Sequence, residues 1–186
     1  RTVVIVSCDL AGVDRFVTRR VRDLVRAEVG LDDADILVHC THTHSGPNAR
    51  MGLIGWGDAD DPYVEILPDR IARAAVAAVR NQVEATLAHA EVPCEGIGIN
   101  REYEGAGDPV KALEDDWRPA KPQLTDTTCH VLRIDAGGRM IGFAAYFGCH
   151  PVVCCAETRY IHGDFVGVAR HLLMREFPGA IGLSLQ

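Results

Sequence analysis

The chain opens on Val3-Val4-Ile5-Val6-Ser7, a short β-branched apolar run that predicts a buried parallel strand ending at Cys8-Asp9. From Val17 to Val29 the period changes. Val17, Val21, Leu24 and Val25 recur at helical spacing, and Gly30 stands where a helix C-cap belongs. Asp35 to Cys40 is apolar again and predicts a second strand. Together these segments predict a β-α-β unit, with the right-handed crossover such units adopt.

The same reading continues downstream. Asp61-Pro62 has the form of an N-cap followed by proline at the first helical position, and Pro68 is expected to break or kink that helix. Ala72, Val76, Val79, Val83 and Leu87 predict an amphipathic helix over Arg70 to Ala90, with Arg70, Arg73, Arg80 and Glu84 on its solvated face. Gly96 to Asn100 reads as a strand, and Glu102 to Thr125 as a long loop. Cys129 to Asp135 and Met140 to Cys149, separated by Ala136-Gly137-Gly138, predict a β-hairpin. Gly163-Asp164 caps a helix from Phe165 to Phe177, and Ala180 to Leu185 forms a last strand. The predicted fold class is α/β: a layered, mixed β-sheet domain with helices packed outside and a β-α-β start.

Composition narrows the function classes. At 186 residues the chain is one domain or a large part of one, and its 47% apolar content is ordinary for a globular protein. A formal charge of −7 argues against a nucleic-acid partner. No apolar run is long enough for a transmembrane segment. The first residues read as a strand rather than a signal peptide, so the compartment, cytoplasmic or secreted, stays open. The seven cysteines, Cys8, Cys40, Cys94, Cys129, Cys149, Cys154 and Cys155, fall mostly in apolar runs and read as small buried thiols.

The chemistry concentrates in Thr41-His42-Thr43-His44-Ser45-Gly46-Pro47, directly after the second strand. In an extended chain residues i and i+2 point the same way, so His42 and His44 are expected to aim two imidazoles at one point. Neutral imidazole is a zinc ligand, and a bare His-x-His is equally compatible with two solvated side chains. His150, in Phe147-Gly148-Cys149-His150-Pro151, offers a third imidazole after another strand. Three ligands with an open position for water are the usual arrangement of catalytic zinc. His162 and Asp164 form a further pair: Asp164 reads first as a helix cap and secondly as a carboxylate that orients an imidazole. Arg101, past the predicted strand at 96–100, suits an anion or a substrate oxygen, or a surface ion pair. Trp56, Tyr103 and Trp117 fall in loops and suit an apolar mouth or packing anchors. His39, His89, His130 and His171 have no motif around them and read as structural or solvated.

Four segments, Thr41-His42-Thr43-His44-Ser45-Gly46-Pro47, Ile99-Asn100-Arg101, Phe147-Gly148-Cys149-His150-Pro151-Val152 and Gly163-Asp164-Phe165-Val166-Gly167, together resemble the N-terminal catalytic domain of neutral/alkaline non-lysosomal ceramidases. The resemblance implies a zinc-dependent hydrolase of the amide bond in an N-acyl sphingoid base, a lipid substrate. It implies that His42 and His150 bind Zn2+, and that His44 and Arg101 act at the reacting carbonyl. It also implies a nucleophilic serine, in a Gly-Asp-x-Ser-Pro-like segment, and a glutamate and a tyrosine ligand beyond Gln186. Residues 1–186 are thus expected to be the N-terminal part of the catalytic domain, incomplete at the C-terminal end. Alone they are expected to be inactive, the missing C-terminal part being needed to complete the site. A metal hydrolase of the same superfamily acting on another amide or ester, and a non-catalytic domain, are the competing expectations.

Overall fold

The computed structural model describes residues 1–49, 57–100, 121–154 and 158–186. Strand β1 (Val4–Cys8), helix α1 (Arg15–Val29) and strand β2 (Ile36–Cys40) form the expected β-α-β unit. The two strands pair in parallel, from Val4 opposite Ile36 to Cys8 opposite Cys40. Helix α1 starts at Asp14, whose carboxylate accepts a 2.8 Å hydrogen bond from the Val17 amide, and closes at Gly30. Val17, Val21 and Val25 lie four residues apart on one stripe and have no exposed surface. They pack with Val4 and Ile36 into the main core.

Helix α2 (Asp61–Arg80) supplies the rest of that core through Val64, Leu67, Ile71, Ala72, Ala75 and Val76. It differs from the expected helix at both ends. It runs on through Pro68, whose ring is buried, because the apolar stripe on either side of the proline continues into the same core. It ends at Arg80, where the Asn81 side chain donates to the Ala77 carbonyl at 2.7 Å. Val83 and Leu87, assigned to the helical stripe from their spacing, lie beyond it and are exposed.

Strand β3 (Thr86–Pro93) takes the place of the end of that helix. It pairs antiparallel with β4 (Thr128–Ala136), which pairs antiparallel with β5 (Arg139–Tyr146). The β4–β5 hairpin turns at Gly137 and Gly138, with φ of 59° and 76°, a left-handed pair that suits a type I′ turn and that glycine adopts without strain. Strand β6 (Ile181–Leu185) is parallel to β5, and α3 (Asp164–Glu176) lies between them in the chain. A Cβ at Gly182 would collide with the Phe143 ring of β5 and come within 2.6 Å of Arg170 Cγ of α3, so glycine leaves room for both side chains against β6. The strand expected at 96–100 does not form: residues 95–97 turn, and 98–100 have no regular structure. The fold is thus α/β as expected, with its strands in two sheets, β1-β2 and β3-β4-β5-β6. The sheets meet where the Ser7 hydroxyl donates to the Ser184 carbonyl at 2.6 Å.

Cys8 and Cys40, opposite each other at the strand ends, pack against the main core. Burial pushes the Cys8 thiol up to about 12, with Cys40 and Asp9 adding to the effect, and burial pushes Cys40 up to about 11. At neutral pH this leaves about a hundredfold less thiolate at Cys40 and about a thousandfold less at Cys8, and the thiolate is the reactive form. Alkylation followed by peptide mass spectrometry should therefore find both cysteines unmodified in the folded chain at pH 8 and modified once it is unfolded.

Candidate metal centre

Beyond Cys40 the chain leaves β2 and is held by the loop that follows β1. The Thr41 amide donates to the Cys8 carbonyl and the His42 amide to the Leu10 carbonyl, each at 2.9 Å. Thr41 and Thr43 are buried. Their hydroxyls are satisfied in turn: Thr41 Oγ1 donates to Asp9 Oδ1 at 3.3 Å, and Thr43 Oγ1 to the His162 carbonyl at 2.8 Å. Thr-His-Thr-His is thus two inward anchors alternating with two imidazoles.

The two imidazoles do converge, but strand alternation is not the reason. His42 has φ of 65°, a left-handed conformation that non-glycine residues rarely adopt, and His44 lies in a turn. The bend brings His42 Nδ1 onto the Ala11 carbonyl in a short hydrogen bond. A carbonyl can only accept, so Nδ1 is the donor in this bond, and in the neutral ring the lone pair is then on Nε2. This is how a metal-binding histidine is usually oriented.

His150, four residues past β5, completes the group. Its ring stacks on His42 with centroids 4.7 Å apart and an interplanar angle of 23°, and lies 4.7 Å from His44. His44 lies 5.1 Å from His42. His150 Nε2 and His44 Nε2 are 2.8 Å apart. One nitrogen from each of the three rings falls within 4.8 Å of the others, a set that can hold a metal ion. The nitrogen-rich donors fit zinc and suit calcium or magnesium poorly.

Asp164 sets the wall of the site. It has no exposed surface and φ of 55°. Its Oδ2 accepts from the Cys154 amide at 2.9 Å and its Oδ1 from the Phe165 amide at 2.7 Å. Asp164 therefore fastens the His150–Cys154 segment and not an imidazole, and the N-cap of α3 is Gly163. His162 stands apart from the cluster: its Nδ1 accepts from the Asp164 amide at 2.9 Å, and its own amide donates to the Ser45 carbonyl at 3.0 Å. Below the site, Arg170 of α3 makes a two-pronged ion pair with Asp9, one prong at 3.1 Å. The sequence pattern marks Asp9 only as the place where the first strand ends, and gives no sign of Arg170, which carries no motif.

Arg101 lies outside the described residues, as do Trp56, Tyr103, Trp117 and Cys155. Asn100, just before Arg101, donates from its side chain to the Leu124 carbonyl at 2.8 Å. A Cβ at Gly98 would meet Cys149 Sγ at 3.2 Å, so the 98–100 segment passes beside the strand end that carries His150.

An α/β domain thus carries, past its strand ends, an imidazole cluster that can hold a metal ion, and comparison with known proteins gives its family. The sequence matches the family of neutral/alkaline non-lysosomal ceramidases, N-terminal region, over residues 1–181. The chain belongs to that family. Among solved structures it is similar to the neutral ceramidase from Pseudomonas aeruginosa, with a TM-score of 0.77 and 21% identity over 98% of this chain and 30% of that one. It is also similar to a ceramidase complexed with C2, with a TM-score of 0.80 and 20% identity over 98% of this chain and 29% of that one. The chain therefore spans less than a third of the length of these relatives. No curated protein sequence matches.

Asp164 should be the most sensitive residue outside the imidazoles. Asp164→Ala leaves two buried amides without an acceptor, at about 1–3 kcal/mol each. Asp164→Asn keeps an acceptor and tolerates the left-handed backbone, so it should be clearly milder. Urea unfolding of the two variants beside the parent checks the order.

Proposed function

We propose that this chain is the N-terminal part of a zinc-dependent amide hydrolase catalytic domain, acting on N-acyl sphingoid bases. The observation that carries the proposal is the convergence of His42, His44 and His150, with His42 Nδ1 tied to the Ala11 carbonyl. Family membership supports the same reading.

His42, through Nε2, and His150 are the zinc ligands this chain contributes. Bound zinc would supply Lewis acidity and lower the pKa of a water molecule. His44 sits beside His150 and faces the substrate, where its ring can donate to the acyl carbonyl or move a proton. Arg101 is permanently charged and stabilises negative charge on the carbonyl oxygen. Hydrolysis breaks the amide C–N bond; the acyl carbon takes the hydroxyl of water and the nitrogen takes a proton, giving a fatty acid and a sphingoid amine. The nucleophile and the remaining ligands are assigned to the part of the family fold that follows this region. The low-polarity acyl chain requires apolar walls around this polar centre.

His44→Ala and His42→Ala in the full-length enzyme separate the roles. Loss of a proton-transfer or polarising group costs about 10²–10⁴ in rate. His44→Ala should thus cut ceramide turnover at least a hundredfold with zinc content nearly unchanged. His42→Ala should lose zinc and turnover together. Equal loss of zinc in the two variants would make His44 a ligand.

A further inference from the structure

We propose that His89, Glu91 and His130 form a second metal site, for a zinc-class divalent ion, that clips strand β3 onto β4. None of the three residues belongs to the imidazole cluster described above. Glu91 lies directly opposite His130 in the antiparallel ladder, and His89 is two residues along β3. All three side chains therefore stand on one face of the sheet, as direct and diagonal neighbours.

The spacing matches a tetrahedral ion. His89 Nε2 and His130 Nδ1 are 3.3 Å apart, and His130 Nδ1 and Glu91 Oε1 are 3.7 Å apart. Zinc bonds of about 2.0–2.1 Å at tetrahedral angles set ligand atoms about 3.3–3.4 Å from one another. One edge is already at that length and the second is within a few tenths of an ångström of it. All three ligand atoms fall within 4.8 Å of each other. Two imidazoles and one carboxylate are also a donor set that zinc uses when a fourth position is left to water. Oxygen-seeking calcium and magnesium would find one carboxylate only.

The place in the fold gives the site a purpose. Strand β3 is at one end of its sheet, and every residue in it is exposed. Its attachment rests on the β4 ladder with little packing from its side chains. A metal bridging the strands adds a link that exists only in the folded state, so its binding energy adds to stability. Solvent reaches the site, since the His130 and Glu91 side chains are 38% and 63% exposed. Without a metal, the same contacts are an imidazole–imidazole hydrogen bond beside a carboxylate, and experiment separates the two.

The test uses the full chain, stripped with chelator, dialysed against zinc chloride and analysed for metal content. His130→Ala should lower bound zinc by one equivalent, both in the parent and in a His42→Ala/His150→Ala background that removes the first cluster. His89→Ala and Glu91→Gln should weaken that equivalent by at least the tenfold or so that loss of even an outer partner costs. Zinc should raise the melting temperature of the His42→Ala/His150→Ala protein, and His130→Ala should abolish the rise. Unchanged zinc content on His130→Ala, or no zinc bound and no rise in melting temperature in the double variant, would overturn the proposal.

Discussion

Thr43 has no exposed surface, and its hydroxyl donates to the His162 carbonyl across 119 residues of sequence. That bond, with those of Thr41 to Asp9 and His42 to Ala11, sets the conformation of the whole centre. A buried hydroxyl without a partner costs on the order of 1–3 kcal/mol. Two of them two residues apart leave the backbone between few ways to run. The left-handed backbone of His42 is what lets the threonines stay inside while the imidazoles turn out. Strain of this kind persists only where its surroundings over-determine it, and here bonds to two separate loops, 9–11 and the one holding His162, do so.

The anchoring reaches beyond one turn. Asp9 directly follows β1, accepts from Thr41 after β2 and holds Arg170 of α3. Ser45 receives the His162 amide through its carbonyl and donates from its hydroxyl to the Cys154 carbonyl at 3.3 Å. Asp164 closes the circle through the Cys154 amide. The two sheets are separate ladders, yet their strand ends are cross-linked by this polar network around His42, His44 and His150. Networks of this sort are rigid when fully satisfied and fragile when one member is lost. Rigidity is what a metal centre needs, because ligands must be held in place before the ion arrives.

Much of this was legible in the sequence where a local rule and a tertiary demand agree. The four-residue spacing of Val17, Val21 and Val25 announces α1, and Gly137-Gly138 announces the hairpin. The rules parted at Val83 and Leu87, whose spacing fits a helix while Asn81 has already ended it. Alternation from Leu87 to Val92 is equally good strand pattern, and pairing with β4 decides between them. The histidines of the site were readable from their motif, but not why they converge: strand alternation was the wrong reason, since the mild preference of histidine for a positive φ is too weak to mark His42 in a sequence. His89 and His130 carried no signal at all, because a register linking residues 41 apart appears only once the sheet is formed.

The central claim is that the anchored turn presents His42 to zinc through Nε2, together with His150. Anomalous diffraction at the zinc edge, from crystals of the full-length enzyme, tests this most directly. The account predicts a peak about 2.0–2.1 Å from His42 Nε2 and from a nitrogen of His150, with His42 Nδ1 still on the Ala11 carbonyl. A peak bound through His42 Nδ1, or a zinc site that excludes either histidine, would contradict it.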